Sequence, residues 1–534
     1  MKRVLLLLLV FVLTNLSIVA QTVTRDDWQS LQVEFTLPEL RVSQTVVDGA
    51  TYTVVSIDGY YPSDRIGAPD LPRFSSLVEV PLCNGFTVTV SNAVYDTIDL
   101  PQGLLIPAQP SLSKSDTAVR RFVIDRSYYA VDSFFRPVDL AAVTPVGIAR
   151  DRRLAQLQFS PLAYNPVTHR LAVCRKATVT VNYIAPDEEA SLSLFDRYHS
   201  PLFASGALSL NGLYPKSVST SAPIRYLIVA HSSFRGQLDE FVSWKRRKGF
   251  LVDLVYTDDA AVGTTTTSIA AYITSQYTNA TAANPAPTYL LLVGDHEQIP
   301  AFTGTTSTSH ITDLYYISWT SGDNIPDCYA GRFSAQTIAQ LTPQVEKTLM
   351  YEQYTFADPS FLDRAVMVAG IDNGNSGDYG YTHADPAMDY AITNYINGNN
   401  GFSQVKYYKN DPTIVPTATN VTVNATGSSA SSSCLADYNA GAGWINYSAH
   451  GSETSWYLPS LTTTTVSSMS NSQKFGVMIG NCCLTNHFQT TTCLGEALLR
   501  RGNYSGAVGY IGGTNSTYCT RMSTGQWVFV PVRR

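Results

Sequence analysis

The chain has 534 residues, of which 44% are hydrophobic and 15% are charged, and its formal net charge at pH 7 is −6. This length is too great for one hydrophobic core, so roughly two to four domains are expected. The small negative charge provides no broad basic surface, which argues against nucleic acid as a partner.

Residues 1–20 have the pattern of a secretion signal. Lys2 and Arg3 precede the apolar run VLLLLLVFVL, and the small residue Ala20 ends a typical cleavage site. The apolar run is too short to cross a bilayer comfortably, and no later segment reaches the roughly 18 apolar residues that a membrane span needs. The sequence therefore predicts an exported protein, secreted or at the cell surface, with no transmembrane segment.

A β-rich domain is predicted next, over residues 21–215. Turns containing Pro, Gly or Asp separate short alternating runs such as TYTVVSIDGYY, FTVTVSNAVY and KATVTVNYIA. No run in this region has the apolar period of a long helix. From Pro201 to Ala222 the alternation is lost and Ser, Gly and Leu dominate, so we expect a linker there.

Alternating strands and helices are predicted from Pro223 onwards. Apolar runs such as IRYLIVA, TYLLLVG, RAVMVAG, WINYSA and FGVMIG have the composition of strands buried on both faces. Between them, segments such as LDEFVSWKRRKGF and IAQLTPQVEKTLMYEQY have helical character. The alternation predicts an α/β fold with a mostly parallel sheet flanked by helices. We divide it into subdomains at residues 216–350 and 351–534.

Polar or reactive residues follow several of these strands. The run YLLLVG ends at Asp295, AVMVAG at Asp372, INYSA at His450, and GVMIGN at Cys482 and Cys483. In open α/β sheets, ligands bind outside the carboxyl ends of the strands. We therefore expect these residues to lie at one rim of the sheet, where the histidine and a cysteine could form a catalytic pair.

The chemistry of such a pair is specific. A thiol becomes a good nucleophile when a neighbouring imidazole takes its proton, and His450 could later protonate the leaving amine. A carboxylate that orients the imidazole would complete the set, and Asp372 is the first candidate, with Asp313 and Asp327 as others. Gly451 has no Cβ, so its N–H could approach a developing oxyanion.

The alternative is that these residues have no catalytic role. His450 would then be an ordinary loop histidine, and Cys482 and Cys483 would be small buried apolar residues. The eight cysteines of the chain are spread too thinly for a disulfide scaffold, and no pair of CxxC motifs indicates zinc. In an exported protein, an unpaired cysteine needs a reason, and catalysis is one.

The runs NYSAHGSETSW and IGNCCLTNHF, together with CLGEALLRRG, closely resemble the gingipains, which are secreted cysteine endopeptidases with a caspase-like fold. PIRYLIVA and LLLVGDHEQIP extend the resemblance, and GAPDLPRFSSLVEVP resembles the family's inhibitory propeptide. The resemblance implies a caspase-like catalytic domain behind a β-rich propeptide. It also implies a zymogen that, once processed, cleaves protein or peptide substrates after Arg or Lys.

The resemblance assigns catalytic roles to single residues. In the family the nucleophile precedes a Phe by five positions, which here selects Cys483, five residues before Phe488. His450 is then the base, and Asp372 is the acid that orients it. The backbone N–H groups of Gly451 and Cys483 would form the oxyanion hole.

The resemblance also implies a pocket for a basic side chain. Asp385 stands at the start of a helix-like run, where a carboxylate could pair with a guanidinium. Ser448, Ala449 and Asn481 match positions in the pocket wall. No cofactor is required for such catalysis, and a structural calcium ion is implied by resemblance alone.

Two expectations concern the ends of the catalytic region. The propeptide would be an intramolecular inhibitor until the chain is cut near Arg197 or Lys216. After Tyr518 the sequence departs from the family pattern, so we expect a truncated C-terminus. The alternative function is therefore a catalytically inactive relative that serves as a surface or binding protein.

Overall fold

A computed structural model describes residues 21–110, 112–113, 121–203, 209–215, 223–305, 310–320, 323–371, 380–489 and 492–519. The predicted signal peptide lies outside these residues. Within the described ranges, no helix combines the length and apolarity that a membrane crossing needs.

The front domain, residues 21–215, is β-rich. Its largest sheet has the strand order β1–β2–β12–β11, with β6 also paired to β12, and two smaller sheets have the orders β5–β10–β9 and β3–β4–β7. The elements are β1 (Gln21–Asp26), β2 (Ser30–Thr36), β3 (Leu40–Val47), β4 (Ala50–Ile57), β5 (Phe74–Val80), β6 (Gly85–Asp99), β7 (Leu104–Leu105), β8 (Leu112–Ser113), β9 (Ala141–Ala149), β10 (Arg152–Phe159), β11 (Leu162–Asn165), β12 (Arg170–Ile184) and α1 (Glu188–Tyr198).

Alternation of side chains explains the core of this domain. Leu31, Val33 and Phe35 lie on one face of β2 and are fully buried, opposite Val179 and Val181 of β12. The helix α1 was not expected from the sequence, because its apolar pattern is short and weak. The Asp187 carboxylate caps it by accepting the N–H of Ala190 at 2.8 Å.

The first α/β subdomain is built on four parallel strands in the order β14–β13–β15–β18. Helix α2 (Asp239–Arg247) ends shortly before Gly249, whose φ of 92° is a left-handed conformation that glycine adopts readily. The elements are β13 (Ile224–Ala230), α2 (Asp239–Arg247), β14 (Phe250–Tyr256), α3 (Thr266–Thr278), β15 (Tyr289–Val293), β16 (Phe302–Thr303), β17 (Ile311–Thr312), β18 (Tyr329–Phe333) and α4 (Ile338–Gln353).

The second α/β subdomain carries six parallel strands in the order β21–β20–β19–β22–β26–β27. The predicted α/β class with mostly parallel sheets is confirmed. The elements are β19 (Arg364–Ala369), α5 (Asp385–Asn394), β20 (Gln404–Lys409), β21 (Val421–Ala425), α6 (Ser431–Ala440), β22 (Trp444–Ser448), β23 (Gly451–Ser452), β24 (Ser455–Trp456), β25 (Leu461–Thr462), α7 (Thr463–Ser467), β26 (Val477–Asn481), α8 (Leu494–Arg500), β27 (Gly509–Gly512) and β28 (Tyr518–Cys519).

Helix α8 joins the two subdomains through buried polar groups. Arg500 donates to the Asp295 carboxylate at 2.9 Å and to Glu496 at 2.6 Å, and Ser334 also donates to Glu496. The Lys347 ammonium of α4 donates to two backbone carbonyl oxygens, those of Leu498 and Ser505. Asp295, which follows β15, therefore has a structural role at the junction of the two subdomains.

The buried Lys347 predicts a pH-dependent stability. Burial lowers the pKa of its ammonium from 10.5 to about 7. The unfolded chain therefore binds more protons than the folded chain between these values, so this residue makes the free energy of unfolding rise as pH increases from about 7 to about 9, by about 2 kcal/mol. In Lys347→Met, urea unfolding at about pH 7 and about pH 9 should show a smaller rise in the free energy of unfolding than in the wild type.

The matched control is Lys474→Met, since Lys474 is half-buried and pairs with Asp358. It should leave the pH dependence of the wild type unchanged. Equal pH dependence in the wild type and in Lys347→Met would contradict the assignment of a neutral buried amine above about pH 7.

Candidate active site

Two adjacent parallel strands deliver the histidine and the cysteine to one edge of the six-stranded sheet. Strands β22 and β26 pair in a register that sets Ser448 opposite Asn481. His450 and Cys483 each follow two residues later, and neighbouring strands lie about 4.8 Å apart. The two side chains therefore leave the sheet from equivalent positions, at its carboxyl edge.

Aromatic side chains fix the backbone at His450. The Tyr447 hydroxyl donates to the carbonyl oxygen of His450 at 2.8 Å and accepts the N–H of Tyr457 at 3.1 Å. The Tyr447 ring stacks on Trp456 with centroids 4.6 Å apart, and the Trp456 indole N–H donates to the Tyr510 hydroxyl. These aromatic residues could not be predicted from the sequence, because only the fold brings their rings together.

Gly451 lies against the cysteine loop. A Cβ at this position would come within 2.8 Å of Cys482 Sγ and 2.9 Å of the Cys483 carbonyl oxygen. Strands β23 and β24 form a short hairpin in which Gly451 lies opposite Trp456. In the neighbouring pair, the Tyr457 N–H donates to the His450 carbonyl oxygen. Alternation in an antiparallel ladder therefore directs the Gly451 N–H away from β24.

The two adjacent cysteines occupy different environments. Cys482 belongs to the hydrophobic core of the six-stranded sheet, and its Sγ lies 3.6 Å from Thr485 Oγ1. Cys483 lies outside that core cluster, although its side chain is also fully buried. Leu484, which follows it, has a φ of 62°, a left-handed conformation that is uncommon for a branched side chain.

Residue Thr517 covers the Cys483 thiol. Its backbone N–H donates to Cys483 Sγ at 3.2 Å, and its hydroxyl oxygen lies 3.5 Å from the same sulfur. The next two residues form β28, which pairs antiparallel with β8 of the front domain, Tyr518 opposite Ser113. The front domain is thus attached to the segment that covers the thiol.

The other predicted site residues are placed as follows. Asn481 donates from its side-chain amide to the Ser448 hydroxyl at 3.2 Å, and Ala449 is fully buried beside them. Asp372 lies outside the described residues, so the identity of the acid that orients His450 remains a prediction. Of the predicted set, the structure brings together His450, Gly451, Cys483 and the three pocket-wall residues.

Asp385 begins α5 and is buried, with both carboxylate oxygens engaged. Oδ1 accepts the backbone N–H and the side-chain amide of Asn410, at 3.0 and 2.9 Å. Oδ2 accepts the backbone N–H of Asp411 at 3.0 Å. The carboxylate therefore holds the loop after β20 against the start of α5 through hydrogen bonds, a role that was not predicted from the sequence.

The two further carboxylate candidates have other partners. Asp313 forms a two-point ion pair with Arg332, at 2.7 and 2.9 Å. Asp327 immediately precedes Cys328 and β18, so it lies at the amino end of a strand rather than at a carboxyl edge. Among the described residues, no group of three or more His, Cys, Asp or Glu side chains is arranged to hold a metal ion.

Comparison with known proteins identifies the family. Residues 219–530 match the family model of Peptidase family C25, and residues 19–200 match the model of its propeptide, Propeptide_C25. The chain belongs to peptidase family C25. The C25 match spans the strands that carry His450 and Cys483, and the resemblance found in the sequence is confirmed.

Named relatives of this C25 chain come from Porphyromonas gingivalis. The chain is 34% identical to Lys-gingipain, in an alignment that covers 93% of this chain and 28% of Lys-gingipain. It is 25% identical to Gingipain R2, in an alignment that covers 94% of this chain and 65% of Gingipain R2. The chain thus spans less than a third of Lys-gingipain. A solved complex of the pro- and mature domains of RgpB, from the same organism, has a TM-score of 0.44 and 24% identity, covering 55% of this chain and 64% of that one.

The hydrogen bonds of Asp385 predict a large effect of a small substitution. Asp385→Asn replaces one acceptor oxygen by an NH₂ group that faces N–H donors. We expect the free energy of unfolding to fall by about 2 kcal/mol, since hydrogen bonds to a charged acceptor contribute about 1.5–3 kcal/mol each. Thermal or urea unfolding of the variant measures this loss.

The control for this experiment is Asp196→Asn, because Asp196 is exposed on α1. It should change the stability by less than about 0.5 kcal/mol. Equal stability of Asp385→Asn and the wild type would show that the hydrogen bonds around Asp385 do not hold the loop after β20.

Proposed function

We propose that this chain is the zymogen of a secreted cysteine endopeptidase that cleaves after Arg or Lys. The observation that carries the proposal is the register of β22 and β26, which sends His450 and Cys483 off the same sheet edge from equivalent positions. Membership of the C25 family supports a peptidase. The names of Lys-gingipain and Gingipain R2 support a basic residue before the cleaved bond.

In the proposed reaction, His450 takes the proton of the Cys483 thiol and the thiolate attacks the substrate carbonyl carbon. The N–H groups of Gly451 and Cys483 donate to the oxyanion that forms. Protonated His450 then gives its proton to the leaving amine, and water hydrolyses the thioester. Asp372 would hold the imidazole in the productive tautomer, and no cofactor takes part.

Cys483 is the better nucleophile candidate of the two cysteines. The Cys482 side chain packs in the hydrophobic core of the six-stranded sheet, where burial disfavours a thiolate. Cys483 lies outside that cluster and contacts the covering residue Thr517, which a conformational change can remove. His450 precedes Gly451, whose backbone lies against the cysteine loop.

The pocket for the basic side chain is proposed to use Ser448, Ala449, Asn481 and Asp385. The first three lie together at the carboxyl ends of β22 and β26, beside the proposed nucleophile. Asp385 would supply negative charge. A direct ion pair with the substrate would compete with the N–H donors of Asn410 and Asp411, so Asp385 would act there chiefly as a buried charge.

The front domain is proposed to keep the enzyme inactive. Its strand β8 pairs with β28, directly after the residue that covers the Cys483 thiol, so its departure would release that cover. The proposed cut near Arg197 falls at the end of α1, where Arg197 is exposed and donates to the Thr278 carbonyl oxygen. Lys216, the other proposed position, lies outside the described residues. Structural calcium remains a proposal by resemblance.

The two cysteines provide the decisive test of this function. After the linker is cut and the front domain is removed, the wild type and Cys482→Ala should hydrolyse fluorogenic peptides with Arg or Lys before the scissile bond. Cys483→Ala should lose at least about 1,000-fold in kcat/KM, because the nucleophile is gone. Peptides with Asp at that position provide the specificity control.

Two outcomes would contradict the assignment. Loss of turnover in both variants, or in neither, would remove Cys483 from the role of sole nucleophile. A cut chain that binds basic peptides without hydrolysing them would instead support a non-catalytic binding protein with the C25 fold.

A further inference from the structure

A buried arginine at the tip of a front-domain hairpin enters the first α/β subdomain. Arg150 and Asp151 form the two-residue turn between β9 and β10. Arg150 has a φ of 59° and is 1% exposed. Such turns favour Asn and Gly, and a fully buried arginine is rare unless its charge is compensated. The position therefore needs an explanation beyond the turn itself.

Backbone carbonyl oxygens surround the guanidinium of Arg150. Its Nη1 donates to Pro287 at 2.6 Å and to Asp327 at 3.0 Å, and its Nη2 donates to Ala286 at 2.9 Å. Its Nε donates to the Tyr198 carbonyl at 2.6 Å, at the end of α1. The planar fork of an arginine matches several acceptors at once, which a lysine ammonium on a flexible stem does not.

The same place also recognises the backbone of the turn. The N–H of Arg150 donates to Asp327 Oδ1 at 2.7 Å, and the Tyr277 hydroxyl donates to the Arg150 carbonyl oxygen at 2.9 Å. The second oxygen of Asp327 accepts the Trp319 N–H at 2.7 Å. We define the arginine socket as the group of acceptors and donors around Arg150: the carbonyl oxygens of Ala286, Pro287 and Asp327, the Asp327 carboxylate and the Tyr277 hydroxyl.

The arginine socket is separate from the proposed active site. Ala286 and Pro287 precede β15, and Asp327 precedes β18, so the socket lies at the amino edge of the four-stranded sheet. His450 and Cys483 follow the carboxyl ends of strands in the six-stranded sheet. All residues of the socket lie within the span that matches the peptidase family, whereas Arg150 lies within the span that matches the propeptide.

We propose that the arginine socket is a binding site for an arginine presented on a tight turn, and that Arg150 fills it so that the front domain stays bound after the linker is cut. The charge and the fork of hydrogen bonds are removed from water, so losing the arginine leaves several buried acceptors unsatisfied.

The other polar contacts nearby are single hydrogen bonds. The Ile148 N–H donates to Asp323 Oδ2 at 3.0 Å, and the hydroxyls of Ser200 and Thr288 lie 2.8 Å apart. Interfaces commonly derive most of their affinity from a few buried residues, among which arginine is frequent. Arg150 is the buried arginine at the tip of this hairpin, so we expect it to contribute most of the affinity.

The test uses the full chain with Cys483→Ala, so it does not depend on the proposed catalysis. A recognition sequence for a site-specific protease is placed between residues 216 and 222, and the chain is cut there. The rate at which the two fragments separate is then followed by surface capture of one fragment. We expect Arg150→Ala to separate at least about 100-fold faster than the parent, and Arg150→Lys at least about 10-fold faster.

Two controls make the result specific to the socket. Arg41→Ala removes an exposed arginine that pairs with Asp58 within the front domain, and should leave the rate unchanged. Tyr277→Phe alters the peptidase side and should speed separation about fivefold, through loss of one hydrogen bond. If uncut Arg150→Ala does not fold, Arg150→Lys and Tyr277→Phe carry the test.

Chemical rescue provides a readout that a merely structural role would not give. Millimolar guanidinium should slow fragment separation in Arg150→Ala by refilling the space between the carbonyl oxygens, and methylammonium should not. The proposal is overturned if Arg150→Ala and Arg150→Lys separate no faster than the parent. It is also overturned if Arg41→Ala matches them, or if guanidinium and methylammonium act alike.

Discussion

The parallel pairing of β22 with β26 is the constraint on which the candidate site depends. Its register places Ser448 beside Asn481, and the chain then leaves both strands after the same number of residues to reach His450 and Cys483. A shift of one residue would reverse the faces of every side chain on the strand. Buried rings hold this geometry, since Tyr447 stacks on Trp456 and also hydrogen-bonds the backbone of His450.

Two of the contacts between the described parts of the front domain and the C25 region bear on latency. At one, β8 pairs with β28, whose neighbour Thr517 covers the Cys483 thiol. At the other, Arg150 lies buried among carbonyl oxygens at the amino edge of a different sheet. A two-residue strand pair near the reactive group and a multiply hydrogen-bonded arginine away from it would let inhibition be relieved without rebuilding the active site. In this way the β8–β28 pair would control latency, while the arginine socket would keep the front domain bound.

Much of this organisation could be predicted from the sequence. Long apolar runs ending in polar residues indicated buried parallel strands, and the same runs located His450 and the cysteines at the sheet edge. The helices α2 and α4 followed from local apolar patterns. Strands β20 and β21 were not predicted, because QVKYYK and VTVNA mix polar and apolar residues and resemble exposed segments.

Features that depend on distant contacts could not be predicted in this way. Nothing near Arg150 in the sequence indicates that carbonyl oxygens more than a hundred residues away will surround it. The hydrogen-bond donors to Asp385 likewise come from the loop after β20, distant in sequence. Tyr447, Trp456 and Tyr510 come into contact only when the six-stranded sheet and the β23–β24 hairpin have both formed. The family resemblance selected Cys483, and the packing of Cys482 gives a physical reason for that choice.

The role of Cys483 is tested by the alkylation rate of each thiol after the linker has been cut and the front domain removed. Iodoacetamide modification, mapped by peptide mass spectrometry, would be followed near neutral pH in the wild type and in His450→Ala. The proposed pair of Cys483 and His450 predicts that Cys483 reacts much faster than Cys482, and that loss of His450 slows this reaction because the thiolate is no longer favoured. Faster modification of Cys482, or an unchanged Cys483 rate without His450, would contradict it.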